Sequence, residues 1–265
     1  MNLRYVKERF FKYSYVQVWK PSLFMWKIAL LITLITQTTR GQLIGQTRIA
    51  GGRSRQGIPW VASLFFEGKS FCGGALLSSK AVVTAAHCFV GDPSRQKHLT
   101  VVLGRGTDEK QKIQAKHVFV HEGFTLELFK YDVAVVRLAR PVIVSSYARV
   151  ARKQDYARAK VVGWGLLEYK GSKPKSMQQA NVVIQPDHEC LESLKFDPAL
   201  SFCAKGYQFH ETPCSGDSGG PLFMGSNELV GTVSFGKKCY GEAIYARLAT
   251  FYEWILDRAT TSSFQ

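Results

Sequence analysis

The stretch "ETPCSGDSGGP", residues 211–221, places Ser218 inside the run Gly-Asp-Ser-Gly-Gly. A serine flanked by glycines in this way suits two unrelated arrangements. In one, it tops a sharp strand-to-helix turn of a parallel α/β sheet, and its acidic and histidine partners come later in the chain. In the other, it sits on a loop of an all-β protein, and the partners come earlier. The histidines decide between them. His87, His98, His117, His121, His188 and His210 all precede Ser218, so the α/β arrangement has no histidine to supply.

The surrounding sequence reads as strands. Short apolar runs recur between Gly, Ser, Asp and Lys turns: "AVVTAAHC" (81–88), "TVVLG" (100–104), "DVAVVRL" (132–138), "KVVGWG" (160–165), "ANVVIQ" (180–185), "ELVGTVSF" (228–235) and "EAIYARL" (242–248). Many short strands with few helical stretches predict an all-β sandwich or barrel. One helix is predicted near the end, where "ATFYEWILDRA" sets Phe251, Trp254 and Ile255 on one face. The polar, unpatterned segment 150–159 is expected to connect two halves.

Hydrophobic residues make up 46% of the 265, enough for a packed core. The six cysteines include no Cys-x-x-Cys pair, and no histidine pair has zinc-finger spacing, so a metal site is not expected. An even, well-spread set points to disulfides and an oxidising compartment. Near the N-terminus the apolar run "IALLITLI" (28–35) follows Lys27 and precedes "TQTTRG". Eight apolar residues suit a signal-peptide core, whereas a membrane span takes roughly 20. We therefore expect a signal region over residues 1–40, with Met25 as an alternative start, and a secreted protein with no stable membrane insertion. A signal anchor is the competing reading. The net charge is +15, but residues 1–48 hold eight of the basic residues and one acidic residue. The remainder, with 27 basic and 19 acidic residues, carries +8 spread along the chain, as a solvated surface would, and no nucleic-acid partner is expected.

Three residues form a candidate constellation: His87 in "TAAHC", Asp132 in "YDVAVVRL" and Ser218 in "GDSGG". Acyl transfer by a serine needs a base beside its hydroxyl and an acid to fix that base's tautomer. Taken singly, each has a structural reading; taken together with "RIAGG" (48–52), "PWVASL" (59–64), "CGGALLSSKAVVTAAHC" (72–88), "GWG" (163–165), "SGDSGGP" (215–221) and "SFG" (234–236), they make a pattern. From Ile49 almost to its end, the chain resembles the chymotrypsin-like serine proteases. The resemblance implies two six-stranded antiparallel β-barrels, a site in the cleft between them and a C-terminal helix. It implies that His87, Asp132 and Ser218 are catalytic, that the N–H groups of Gly216 and Ser218 form the oxyanion hole, and that Ser234 supports Asp132. It pairs Cys72 with Cys88, Cys190 with Cys203, and Cys214 with Cys239.

The same resemblance reads residues 41–48 as a short propeptide and 49–265 as the protease domain. Cleavage after Arg48 would free the Ile49 amine to insert beside Asp217. Substrate would lie against Thr212, Pro213, Ser215, Ser234, Phe235, Gly236 and Ala243. Thr212 stands at the pocket-floor position, where an aspartate would select basic residues, so an apolar residue before the scissile bond is expected. Two charged alternatives stay open: Glu242 reaching the pocket and favouring basic residues, or Lys237 or Lys238 at its rim favouring acidic ones. Without a floor aspartate the enzyme should not cut efficiently after its own Arg48, which implies a separate trypsin-like activator. Protein or peptide substrates, serpin-type inhibitors and a monomeric state complete the implied picture, with no cofactor. The loop "RGTDEKQK" is short for a calcium site, there is no Asn-x-Ser/Thr sequon, and the three lysines of "EYKGSKPKSMQ" (168–178) read as a solvated loop or an exosite. A non-catalytic homologue that uses the fold for binding is the competing function.

Overall fold

The computed structural model describes residues 52–105, 110–153, 158–208 and 211–260. The chain divides into two units, Met1–Gly45 and Gln46–Gln265, and every described residue belongs to the second. The expected signal region, the propeptide, Arg48 and Ile49 all lie outside the described residues.

The first half of the described chain forms strands β1 (Arg53–Ser54), β2 (Val61–Phe66), β3 (Lys69–Ser78), β4 (Ala81–Thr84), β5 (Thr100–Leu103), β6 (Gln111–Val120) and β7 (Ala134–Leu138). The second half forms β8 (Arg149–Val150), β9 (Arg158–Gly163), β10 (Gln178–Ile184), β11 (Ser201–Gly206), β12 (Pro221–Met224), β13 (Glu228–Lys237) and β14 (Tyr240–Arg247). A helix, Tyr252–Thr260, closes the described chain.

Two barrels result. In the first, the strands run β2-β3-β4-β7-β6-β5 and close on themselves, every neighbouring pair antiparallel. In the second, β10-β11-β14-β13-β12-β9 run in order, and β9 pairs back with β10 to close the ring. Closure leaves no edge among those twelve strands, which is how antiparallel sheets avoid exposed backbone. The short strands β1 and β8 lie against β10 and β13. Alternation sets the inward faces: in β10, Gln178, Ala180, Val182 and Ile184 are buried and the residues between them are not. All four residues of β4 are buried, since one face meets the barrel interior and the closing helix packs over β4 and β7.

The elements differ from the sequence reading at their ends, and at two places the difference builds the site. "AVVTAAHC" is not one strand. β4 ends at Thr84, whose hydroxyl donates to the Gly73 carbonyl at 2.7 Å, and a 3-10 turn follows over Ala86–Phe89. "DVAVVRL" begins two residues late, because Tyr131 sits at φ 54° and the Val133 N–H turns back to the Tyr131 carbonyl at 2.7 Å. In the first a side chain takes a backbone acceptor of the neighbouring strand, and in the second the backbone closes a tight turn on itself. The closing helix matches its predicted face: Phe251 and Ile255 are buried and Trp254 is half-buried. The three disulfides, Cys72–Cys88, Cys190–Cys203 and Cys214–Cys239, pair as the resemblance implied.

Candidate active site

His87 stands in the 3-10 turn after β4, and Asp132 stands just ahead of β7, which pairs with β4. The turn brings the two together twice. The His87 backbone N–H donates to Asp132 Oδ1 at 2.9 Å, and His87 Nδ1 lies 2.8 Å from Asp132 Oδ2. An ionised carboxylate only accepts hydrogen bonds, so Nδ1 carries the proton and Nε2 is left as a base. Asp132 is buried, and Oδ2 also accepts a hydrogen bond from the hydroxyl of Ser234 on β13. The two barrels thus meet at one carboxylate, which has a partner for each of its oxygens.

Ser218 comes from the loop between β11 and β12 and lines the same cavity as His87, with no hydrogen bond between them among the described contacts. Such contacts commonly tighten only when substrate binds. The loop is held by its own backbone. The Asp217 N–H donates to the Cys214 carbonyl, the Gly220 N–H to the Asp217 carbonyl, and the Gly219 N–H to the Val233 carbonyl. By contrast, the N–H groups of Gly216 and Ser218 have no acceptor among the described residues. Gly216 has φ +97°, a conformation that side chains strongly disfavour, so glycine is required for the loop to present that N–H. Two neighbouring donors with no internal acceptor can hold a developing negative charge.

Asp217 points away from the cavity and is buried. Its Oδ1 accepts from the Gly165 N–H at 2.7 Å, and its Oδ2 accepts from the Cys214 N–H at 3.0 Å. A Cβ on Gly165 would stand 2.3 Å from the carboxylate, which explains the second glycine of "GWG". Burial pushes the Asp217 carboxyl up to about 6, against the two backbone hydrogen bonds and the charge of Lys173. No cation lies within ion-pair distance of it among the described residues.

The cavity holds about 350 Å³. Of the residues expected to bind substrate, Pro213, Ser215, Ser234, Phe235, Gly236 and Ala243 line it, with both halves of the Cys214–Cys239 disulfide. Thr212, expected at the floor, is buried and does not line the cavity. Glu242 does not line it either and is turned towards Lys205, 3.7 Å away. Lys238 does reach the lining; Lys237 does not.

Two aromatic residues complete the walls without having been foreseen. Phe129 stacks on Phe235 with ring centroids 5.1 Å apart and meets the His87 ring edge-on at 5.5 Å. Tyr169, from the loop between β9 and β10, lines the cavity with the Lys238 ammonium 5.7 Å from its ring centroid. Neither lies in one of the short runs that carry the resemblance. As for metals, Cys72, His87 and Cys88 cluster, but the two cysteines are bonded to each other and offer no thiolate.

The sequence profile of the Trypsin family matches residues 49–255. Transmembrane protease serine 11G of Rattus norvegicus is 33% identical over 233 residues, covering 80% of this chain and 55% of that protein. Its Mus musculus counterpart is 33% identical over 235 residues, covering 80% and 56%. Serine protease 56 of Homo sapiens is 30% identical over 239 residues, covering 82% and 39%. The chain thus spans about half the length, or less, of these relatives. With the paired barrels, the His87–Asp132 pair and the Ser218 loop at their junction, the match places the chain in the trypsin family of chymotrypsin-like serine proteases.

Proposed function

We propose that the protein is a secreted serine endopeptidase, made as a zymogen, that cuts peptide bonds after apolar residues. The observation that carries this reading is the convergence of a carboxylate-bound histidine and a serine in one cleft, with the N–H groups of Gly216 and Ser218 on the serine's own loop lacking internal acceptors. Ser218 Oγ attacks the scissile carbonyl carbon while His87 Nε2 takes its proton. The Gly216 and Ser218 N–H groups receive the oxygen as it gains charge. Asp132 holds the imidazole and stabilises its protonated form. His87 then returns the proton to the departing amine, and water repeats the sequence on the acyl-enzyme. Losing one oxyanion donor in such a site typically costs on the order of 100- to 1,000-fold in rate.

Apolar specificity is supported by the lining, which brings Pro213, Val233, Phe235, Gly236 and Ala243 to the cavity and leaves Glu242 outside it. Zymogen activation is supported by Asp217, a buried carboxylate with two N–H partners and no described cation, as a site for the ammonium of Ile49 would need. A separate activating protease cuts after Arg48. The disulfides and the short apolar run at 28–35 support secretion. Among the described residues no helix is long and apolar enough to cross a membrane.

The test is to cleave the full chain after Arg48 with an added protease and treat it with a fluorophosphonate. Labelling at Ser218, lost in Ser218→Ala, is expected, together with cleavage of a peptide library preferentially after Phe, Tyr, Leu or Met. An unlabelled, folded protein would instead be a binding homologue.

A further inference from the structure

One of the three lysines in the loop between β9 and β10, Lys173, is exposed but tied by its ammonium to the first barrel. The loop folds back on itself through the Leu167 N–H to the Ser172 carbonyl and the Gly171 N–H to the Glu168 carbonyl, both at 3.0 Å, and Pro174 is buried. Between these anchors Lys173 reaches across to β3. Its Nζ donates to the Ser70 carbonyl at 2.5 Å and to Ser70 Oγ at 3.1 Å. Arg105, just past β5, meets the same serine, its Nη1 donating to Ser70 Oγ at 3.3 Å. The Arg105 guanidinium lies 5.1 Å from the Trp164 ring centroid and 5.6 Å from that of Phe65. Neither cation has a carboxylate within ion-pair distance among the described residues.

This pair stands beside the reacting atoms. The Lys173 ammonium comes within 3.6 Å of the point where a Cβ on Gly216 would stand. The large cavity, which takes the acyl half of a substrate, includes Ser218 but not Ser70, Cys72, Gly73 or Gly216. Those four line a separate small space with Arg105, and the Gly73 N–H donates to the Ser218 carbonyl at 2.7 Å. The Lys173 ammonium therefore stands beside Gly216, one of the two proposed oxyanion donors, and outside the cavity assigned to the acyl half, on the side left to the half that departs from His87.

We propose that Lys173, backed by Arg105, determines specificity for the leaving half of the substrate, selecting a carboxylate side chain at the first or second residue after the scissile bond. The inference rests on the endopeptidase reading above. Two of the three ammonium protons are directed at Ser70, and the third is left to donate. Two like charges converging on one serine repel, and an arriving carboxylate relieves both. Burial and the charge of Arg105 hold the Lys173 amine below its usual range, against the opposing charge of Asp217. An extended chain advances about 3.3 Å per residue, which keeps the first two side chains within reach. Because Lys173 lies at the rim, the preference is about 3- to 10-fold and weakens with salt.

The test uses the full chain cleaved after Arg48 and peptides that share one apolar acyl half. Glu, Ala or Lys is placed first or second after the scissile bond. The Glu-to-Ala ratio of kcat/KM should be about 3–10 at one of the positions in low salt and fall towards 1 in about 0.5 M salt. Lys173→Gln should bring it to about 1, Lys173→Arg should preserve it, and Lys173→Glu should turn the preference towards the Lys peptide. Equal cleavage of Glu and Ala peptides at both positions, or a ratio that Lys173→Gln and Lys173→Glu leave unchanged, overturns the proposal and makes Lys173 a brace between two loops. Protein that cuts no peptide and takes no fluorophosphonate overturns the endopeptidase reading and this inference with it.

Discussion

Burial holds the Asp217 carboxyl at about 6, because two backbone N–H groups do not replace the hydration it loses. A folded-state value above the ordinary 3.8 means the folded chain binds this proton more tightly than the unfolded one. The stability it brings is fully present below about 4 and is lost as pH rises through about 6. Two units correspond to roughly 3 kcal/mol. In urea titrations, the uncut Ser218→Ala precursor should therefore lose about 2–3 kcal/mol between pH 4 and pH 7. Asp217→Asn should remove that slope. If the Ile49 ammonium becomes the partner after cleavage, the cut protein should lack the loss and its Asp217→Asn variant should be inactive. The position of Asp217 was legible in "GDSGG"; the cost of its unpaired charge was not, since it depends on how "GWG" packs over the carboxylate.

Between β13 and β14 the hairpin turns on two residues, Lys238 and Cys239, with Lys237 opposite Tyr240. Both turn residues have positive φ, 44° and 63°, as a tight antiparallel hairpin demands. Neither is a glycine or asparagine, so the conformation costs on the order of 1 kcal/mol per residue. The Cys214–Cys239 disulfide and the pairing of Gly236 with Ala243 hold it in place. Lys238→Asn should stabilise the protein by about 0.5–1 kcal/mol and raise Tm by roughly 1–4 °C, measured by thermal unfolding. An unchanged or lower Tm would mean that the lysine's packing on Tyr169 outweighs the turn. The short turn also leaves part of the cavity wall to Tyr169, which comes from another loop. A run such as "GKKCYGE" gives no sign of this, because neither lysine nor cysteine advertises a left-handed turn.

Across the whole molecule, the two barrels meet where Asp132 of the first accepts the Ser234 hydroxyl of the second. His87 depends on the first barrel's own bracing, in which Cys72 on β3 is tied to Cys88 in the turn that carries it. Replacing both cysteines by serine should cost about 2–5 kcal/mol in chemical denaturation and lower activity beyond the loss of folded protein. Retained activity per folded molecule would show that the hydrogen bonds to Asp132 suffice to place His87.

The proposed chemistry was legible in the sequence by itself. His87, Asp132 and Ser218 stand in that chain order, each inside a short local run, and no histidine follows the serine. Close spacing and glycine placement encode such features directly, because they fix the backbone within a few residues. The immediate neighbours of that chemistry were decided only by the tertiary structure. It turned Glu242 to Lys205, buried Thr212 outside the cavity, and brought Phe129, Tyr169 and Lys238 to its walls. It also set Lys173 and Arg105, far apart in sequence, on one serine. Those contacts join loops from different strands, and which loops meet follows from barrel closure and loop length, which no local pattern records.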